Sequence, residues 1–384
     1  MAAWLAIEGR RITDPAELLT GLAARLDAAG ARLDRLNFSV ATIHPQLVAW
    51  GCFWRRGEGA RVFLGQHGAQ NSEAYIGSPL QQVREHARLL RRRLEALDEE
   101  RDHVFYHEMR AAGMTDYVAA PLVFGTGSLN VFTAATRASG GYSDADVERL
   151  EALANLLAPL VEIIEVRRMS LGLLDAFIGP RISQRILNGQ VKRGDGDRIE
   201  AAFWYSDLRG FTALSESLPA GELLHLLNDY FENCADAAAA RGGEILQFIG
   251  DAILIVFEIK RPEDEPVVCD AALDAAIDAF ASIAVVNHRR RHGGLREIEF
   301  GLGLHVGTVT HANVGAPNRL AFNVVGPAVN KTARLQSMTK EAGVPLLLSK
   351  EFAGHIQRPL RSIGHFDLRG LSGPQEMFTL EKEL

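Results

Sequence analysis

The sequence predicts an α+β chain of two units joined by a helical segment. Three observations carry this. Apolar runs of strand length alternate with runs of helical period along the whole chain. The strongest helical stripe stands in the middle, over residues 143–166. From Arg198 onward the runs fall in the order strand, helix, strand, strand, helix, strand, a split β-α-β arrangement.

Residues 1–165 read as the first unit. Leucines 18, 22 and 26 at helical spacing predict a helix over 15–29. Strands follow at 36–43 and 48–54, with a hairpin at the glycines of GEG, 57–59. An arginine-rich helix is expected over 83–97, then two strands, 117–123 and 128–134, around Gly125-Thr126-Gly127. The result is an antiparallel sheet flanked by helices.

The helix over 143–166 is capped by Ser143, with Asp146 three residues on. Leu150, Leu153, Leu157, Leu160 and Ile164 repeat at three-then-four spacing. Such a seam either pairs with a parallel copy in a dimer or packs on its own unit. Pro159 interrupts it. Residues 166–197 read as a helical linker, ending in the polar stretch KRGDGD.

The second unit spans 198–384. Strand 201–206, helix 220–241, hairpin 244–257, helix 263–292 and strand 298–306 build a ferredoxin-like sheet. Strand 320–325 and helix 328–342 follow, with short strands beyond.

Bulk properties narrow the function. With 384 residues the chain can bury two sizeable cores. A net charge of −7 argues against a broad nucleic-acid surface. No apolar run reaches the length of a membrane span, and the first residues lack the pattern of a signal peptide. Cys52, Cys234 and Cys269 are widely spaced and odd in number. Buried free thiols in a reducing cytoplasm are expected.

The chemistry gathers around two aspartates. Asp207 in FWYSDLRGFT and Asp251 in LQFIGDAILIVF each close an apolar run beside a glycine. If the hairpin of Asp251 pairs beside the strand of Asp207, the carboxylates converge and can hold divalent ions. Backbone N–H groups around Gly210, Phe211 and Thr212 can face phosphate oxygens. Alone, two turn aspartates would be the simpler reading.

The motifs YSDLRGFT, GGEILQFIGDAILIVF, GLGLHVGTVTHANVG, VVGPAVNKTARLQSMTK and DLRGL stand in order from about residue 201 to 380. This ordered set resembles the class III nucleotidyl cyclases. The resemblance implies conversion of ATP or GTP to the 3′,5′-cyclic nucleotide and pyrophosphate at sites shared by two cyclase domains in a homodimer. It implies two divalent cations, Mg²⁺ or Mn²⁺, on Asp207, Asp251 and the carbonyl of Leu208. Asn330 and Arg334, four apart on a helix, would act in trans on the ribose and the α-phosphate. Arg369 matches a lysine position that contacts terminal phosphates. Gln247 and Asn323 match the base-reading pair, and both are amides where many adenylyl cyclases have lysine and an acceptor. Each amide carries a donor and an acceptor, so one orientation suits adenine and the other guanine. ATP is the expected substrate, with weakened discrimination against GTP. A guanylyl cyclase, a dual-specificity enzyme and a catalytically silent nucleotide-binding dimerisation module are the alternatives. Ala321 stands where many relatives have aspartate. The loop at GGEIL lacks the acidic signature of diguanylate cyclases.

The segment DYVAAPLVFGTGSLNVFTAATRASGGYSDADVERLEALANLLAPLVEI resembles the C-terminal half of a GAF-type sensor domain. This implies a small regulatory ligand or a dimerisation role for residues 1–165. His44, His67, His86, His103 and His107 share no ligand spacing and read as surface or hydrogen-bonded histidines.

Overall fold

The computed structural model describes residues 1–316, 318–368 and 373–382, with the side chain of Phe322 left aside. The chain divides into two compact units, Met1–Phe177 and Ile178–Leu384.

The first unit opens with α1 (Ala2–Ile7) and α2 (Pro15–Ala28), followed by β1 (Arg35–Ala41), β2 (Leu47–Arg55) and β3 (Gly59–Gln66). Asp14 caps α2 by accepting from the N–H groups of Ala16 and Glu17. Then come α3 (Pro79–His86), β4 (Leu90–Arg93), α4 (Val104–Ala111), β5 (Asp116–Val123), β6 (Leu129–Thr136) and α5 (Asp144–Ile178). The strands form one six-stranded sheet in the order β3-β2-β1-β6-β5-β4. Every pair in it is antiparallel.

Two expectations change here. The arginine-rich segment is not one helix over 83–97. Ala87 takes the left-handed conformation and ends α3. Leu90–Arg93 then pairs with β5 as an edge strand. Sheet pairing overrides the helical propensity of the arginines. The second change concerns the leucine seam. Leu150, Leu153, Leu157 and Ile164 are buried in the core of their own unit, together with Leu18, Phe38 and Trp50, and Leu160 packs against it. That face is unavailable to a second helix. Each such buried leucine contributes about 1.5–3 kcal/mol. α5 also continues through Pro159 and on to Ile178, well into the predicted linker. Trp50 Nε1 donates to the buried Glu165 carboxylate and ties the helix to the sheet.

The second unit follows as α6 (Pro180–Leu187), β7 (Gly196–Leu208), α7 (Phe211–Ser217), α8 (Ala220–Ala240), β8 (Glu244–Ile249) and β9 (Ala252–Ile259). α9 (Glu265–His292), β10 (Phe300–Ala316), β11 (Arg319–Val325) and α10 (Pro327–Ser337) come next. β12 (Leu346–Ser349), α11 (Lys350–Ala353), β13 (Leu360–Phe366) and β14 (Gln375–Leu380) complete it. The main path of its sheet is β13-β14-β12-β10-β7-β9-β8, with β11 paired to β10. The run β10-β7-β9-β8 is the predicted split β-α-β order, antiparallel throughout. β7 and β10 outrun their predicted bounds because they pair with one another from Leu208/Phe300 to Gly196/Ala312.

Alternation along β7 sorts its side chains. Ala202, Trp204 and Leu208 join the core under α8 and α9. Ala201 and Phe203 face the other way, with Tyr205 at the edge of that second cluster. α10 covers this second face. A Cβ at Gly303 would stand 2.8 Å from the backbone N of Gln336 and 2.9 Å from the carbonyl of Thr332. The glycine is therefore what lets the helix backbone settle onto β10.

All three cysteines are free and buried. Burial pushes the Cys52 thiol up to about 12, which makes it inert. Among the described residues no helix is long and apolar enough to cross a membrane.

Candidate functional site

The site begins with period two. Asp207 lies two residues beyond Tyr205, on the face of β7 opposite the α8/α9 core. Gly250 and Asp251 form the two-residue turn between β8 and β9, where Ile249 pairs with Ala252. Gly250 has φ 65°, a conformation that glycine adopts without strain. Asp207 opposes Ala252 in the β7–β9 ladder, so Asp251 stands one step past it.

The two carboxyl groups meet. Asp207 is raised to about 7, first by burial, then by its hydrogen bond to Asp251 and by the charge of that group. The N–H of Leu208 works weakly in the opposite direction. Asp207 Oδ1 is buried and has no hydrogen-bond partner. A buried carboxylate oxygen without a donor, beside a second carboxylate, leaves negative charge uncompensated.

This donor set fits a hard divalent cation. Among the described residues there is no cluster of three or more His, Cys, Asp or Glu able to hold a metal. Two carboxylates suit an ion such as Mg²⁺, which keeps several waters and takes further oxygens from a phosphorylated substrate.

The loop after Asp207 turns at once. Gly210 has φ 70° and precedes Phe211, the first residue of α7. Thr212 is exposed. The Arg209 N–H donates to the Glu299 carbonyl at 2.8 Å, which pins the loop to the segment entering β10.

Asn330 and Arg334 lie on α10. Ala328, Thr332, Leu335 and Gln336 form its buried side. Asn330 is exposed and Arg334 half-buried. Gln247 lies on β8 at a register irregularity, with its side chain exposed. Asn323 lies on β11 opposite Ala312, and its Oδ1 accepts from the Val324 N–H at 2.8 Å. Ala321 is exposed on the same strand. Arg369 lies outside the described residues.

Tyr205 escaped sequence reasoning. Its hydroxyl is pushed up by burial and then by the charges of Asp207 and Asp251, so it stands beside the pair. The signal was available: a tyrosine two residues before a strand-end aspartate shares its face.

Three histidines of the first unit hydrogen-bond to nearby backbone. His103 Nδ1 accepts from the Phe105 N–H. His86 and His67 bond to the carbonyls of Gln82 and His44.

Residues 197–382 match the family model described as the adenylate and guanylate cyclase catalytic domain. The chain is 32% identical over 187 residues to an adenylate cyclase of Anabaena cylindrica, covering 48% of this chain and 36% of that protein. It is 31% identical over 156 residues to adenylate cyclase 1 of Rhizobium meliloti, covering 40% of this chain and 23% of the relative. The chain thus spans only about a quarter to a third of the length of these curated relatives. A bacterial light-regulated adenylyl cyclase of known structure shares the fold, with a TM-score of 0.51 at 19% identity, over 68% of this chain and 84% of that one.

Proposed function

We propose that this protein, whose residues 197–382 match the adenylate and guanylate cyclase catalytic domain model, converts ATP to 3′,5′-cyclic AMP and pyrophosphate at sites shared by two copies. The observation that carries this reading is the meeting of Asp207 and Asp251 at neighbouring strand ends, with one oxygen left without a donor. These two carboxylates and the carbonyl of Leu208 would hold two divalent cations, Mg²⁺ or Mn²⁺. When bound, such ions acidify a ribose hydroxyl and neutralise the triphosphate.

The remaining roles belong to side chains. Arg334, fixed by its helix, neutralises charge growing on the α-phosphate. Asn330, one turn earlier on the same helix, orients the ribose. Gly210, Phe211 and Thr212 line the phosphate side of the site. Gln247 and Asn323 read the base, and Arg369 meets the terminal phosphates. The test is purified protein incubated with ATP or GTP and either ion, with cyclic nucleotide and pyrophosphate both measured. Absence of both products under every combination would end the reading and favour a silent nucleotide-binding module.

One observation favours GTP as a second reading. The Val324 N–H already occupies the Asn323 carbonyl oxygen, which turns the amide NH₂ outward as a donor. A donor suits the O6 of guanine better than the amino group of adenine. Side-by-side turnover of the two nucleotides decides between them.

The homodimer also has a surface to use. The outward side of α5 carries Leu156, Pro159, Ile163, Val166, Leu173 and Phe177 at heptad spacing. Leu156 is 44% exposed, Ile163 60%, Val166 48% and Phe177 78%. This stripe is the seam for a second, parallel copy. In that register Glu162 of one copy and Arg167 of the other flank the seam with opposite charge. The first unit, a six-stranded antiparallel sheet with helices, serves as a GAF-like regulatory domain. A nucleoside triphosphate substrate and three buried free thiols would suit action in a reducing cytoplasm.

A further inference from the structure

The sheet of the first unit has two faces. One lies against α2 and α5. On the other, Asn37 stands between Phe53 of β2 and Thr133 of β6, its register partners. Arg35, two residues before Asn37, shares that face. Residues of α3 and α4 close over it and leave a cavity of about 290 Å³. Its walls are aromatic: Phe53, Phe63, Phe105 and Tyr117. A volume of this size suits a small ring compound.

Two polar groups in this cavity have no partner. Asn37 is only 7% exposed, and its Oδ1 is buried without a hydrogen bond. Arg35 Nε is buried and also lacks one. The side-chain bond that Arg35 does make runs from Nη1 to the sulfur of Met109 at 3.1 Å, a weak acceptor. Among the described residues Arg35 forms no ion pair. Burial holds its guanidinium below the usual arginine range. Over the Phe105 ring at 5.8 Å and with Glu108 only as a distant attraction, this half-buried cation makes no ion pair among the described residues, and beside an acceptor without a donor that is costly in a protein that gains nothing from either.

We propose that this cavity binds a planar aromatic monocarboxylate bearing a ring hydroxyl or amino group. The carboxylate pairs with the Arg35 guanidinium. The ring lies among Phe53, Phe63 and Phe105. The ring substituent donates to Asn37 Oδ1. One guanidinium lines the site, so one negative charge is matched. The aromatic walls select a flat body, and the buried amide oxygen selects a donor over a plain ring.

The proposal concerns binding alone and stands apart from the cyclase reading. It is tested by titration calorimetry on the whole protein, with 4-hydroxybenzoate and 3-aminobenzoate as probes and 4-hydroxybenzamide as the uncharged control. Saturable one-to-one binding of a benzoate is expected. Arg35→Met should weaken it about 10-fold or more, to the level of the benzamide. Asn37→Leu should bring 4-hydroxybenzoate down to the affinity of unsubstituted benzoate and leave benzoate itself unchanged. Ala74→Trp fills the cavity mouth without touching either polar group, and it should abolish binding in a protein that keeps its circular dichroism. Failure of both benzoates to saturate at millimolar concentration overturns the proposal. So does equal binding by Arg35→Met, or binding of 3′,5′-cyclic AMP in place of the benzoates.

Discussion

Asp207 and Asp251 stand one ladder step apart at the ends of β7 and the β8–β9 hairpin, and Asp251, after burial, makes Asp207 harder to ionise. Without a cation this pair opposes folding at neutral pH, because a carboxyl raised to about 7 must give up its proton while buried. Asp207→Asn should therefore raise the melting temperature of metal-free protein at pH 8. The same change should erase the stabilisation that millimolar Mn²⁺ gives the unaltered protein. Turnover should fall by at least about 100-fold. Scanning calorimetry with and without Mn²⁺ checks the first two. A destabilised Asp207→Asn protein that still responds to Mn²⁺ would contradict the placement of the ion.

A site shared by two copies, as proposed, predicts complementation. Asp207→Asn removes a carboxylate proposed to hold the cations, and Arg334→Ala removes the group proposed to reach across from the other copy. Each variant alone should be inactive. Mixed after dissociation and reassociation, half of the dimers pair unlike chains, and each of these has one intact site. About a quarter of the original activity should return. Mixtures as silent as their components would mean that Asp207 and Arg334 serve one site within a single chain.

Much of the second unit's fold was legible because its signals are local. Asp207 and Asp251 announce themselves by a strand that ends at a glycine turn, and the order of strands and helices specifies the sheet. Tyr205 was equally readable by alternation. The middle helix was not. α5 carries two apolar stripes at three-then-four spacing, one through Leu157 and one through Ile163. Periodicity cannot say which stripe a sheet will cover. The contact of Trp50 with Glu165 and the burial of Leu157 decide it, and both depend on residues far away in sequence. The same holds for Leu90–Arg93, whose strand state comes from β5 and not from its own arginines.

Those two stripes give opposite outcomes for the same substitution. Leu157 is fully buried, and a charge there should unfold the first unit at a cost of several kcal/mol. Ile163→Asp places the charge on the exposed stripe. It should leave the circular dichroism intact and shift the protein from dimer to monomer in sedimentation. If Ile163→Asp sediments like the unaltered protein, the outward stripe is not the seam.

Acid should loosen the second unit through a histidine. His311 on β10 is 1% exposed. Its pKa is lowered to about 4, first by burial and then by Arg181 and Arg185. The unfolded chain binds the proton near pH 6.5, so it gains a proton that the folded state refuses. The stability linked to a neutral His311 is complete above about pH 6.5 and is lost as pH falls from there toward 4, at roughly 1 kcal/mol per pH unit. His305, lowered to about 4 by burial and by Lys331 against the pull of Glu351, adds a loss of the same sign. Urea midpoints for the second unit at pH 7.5, 6 and 5 should fall steeply in the unaltered protein. They should fall less steeply in His311→Gln, which carries no titrating group at that place. Parallel slopes in the two proteins would show that the proton enters elsewhere.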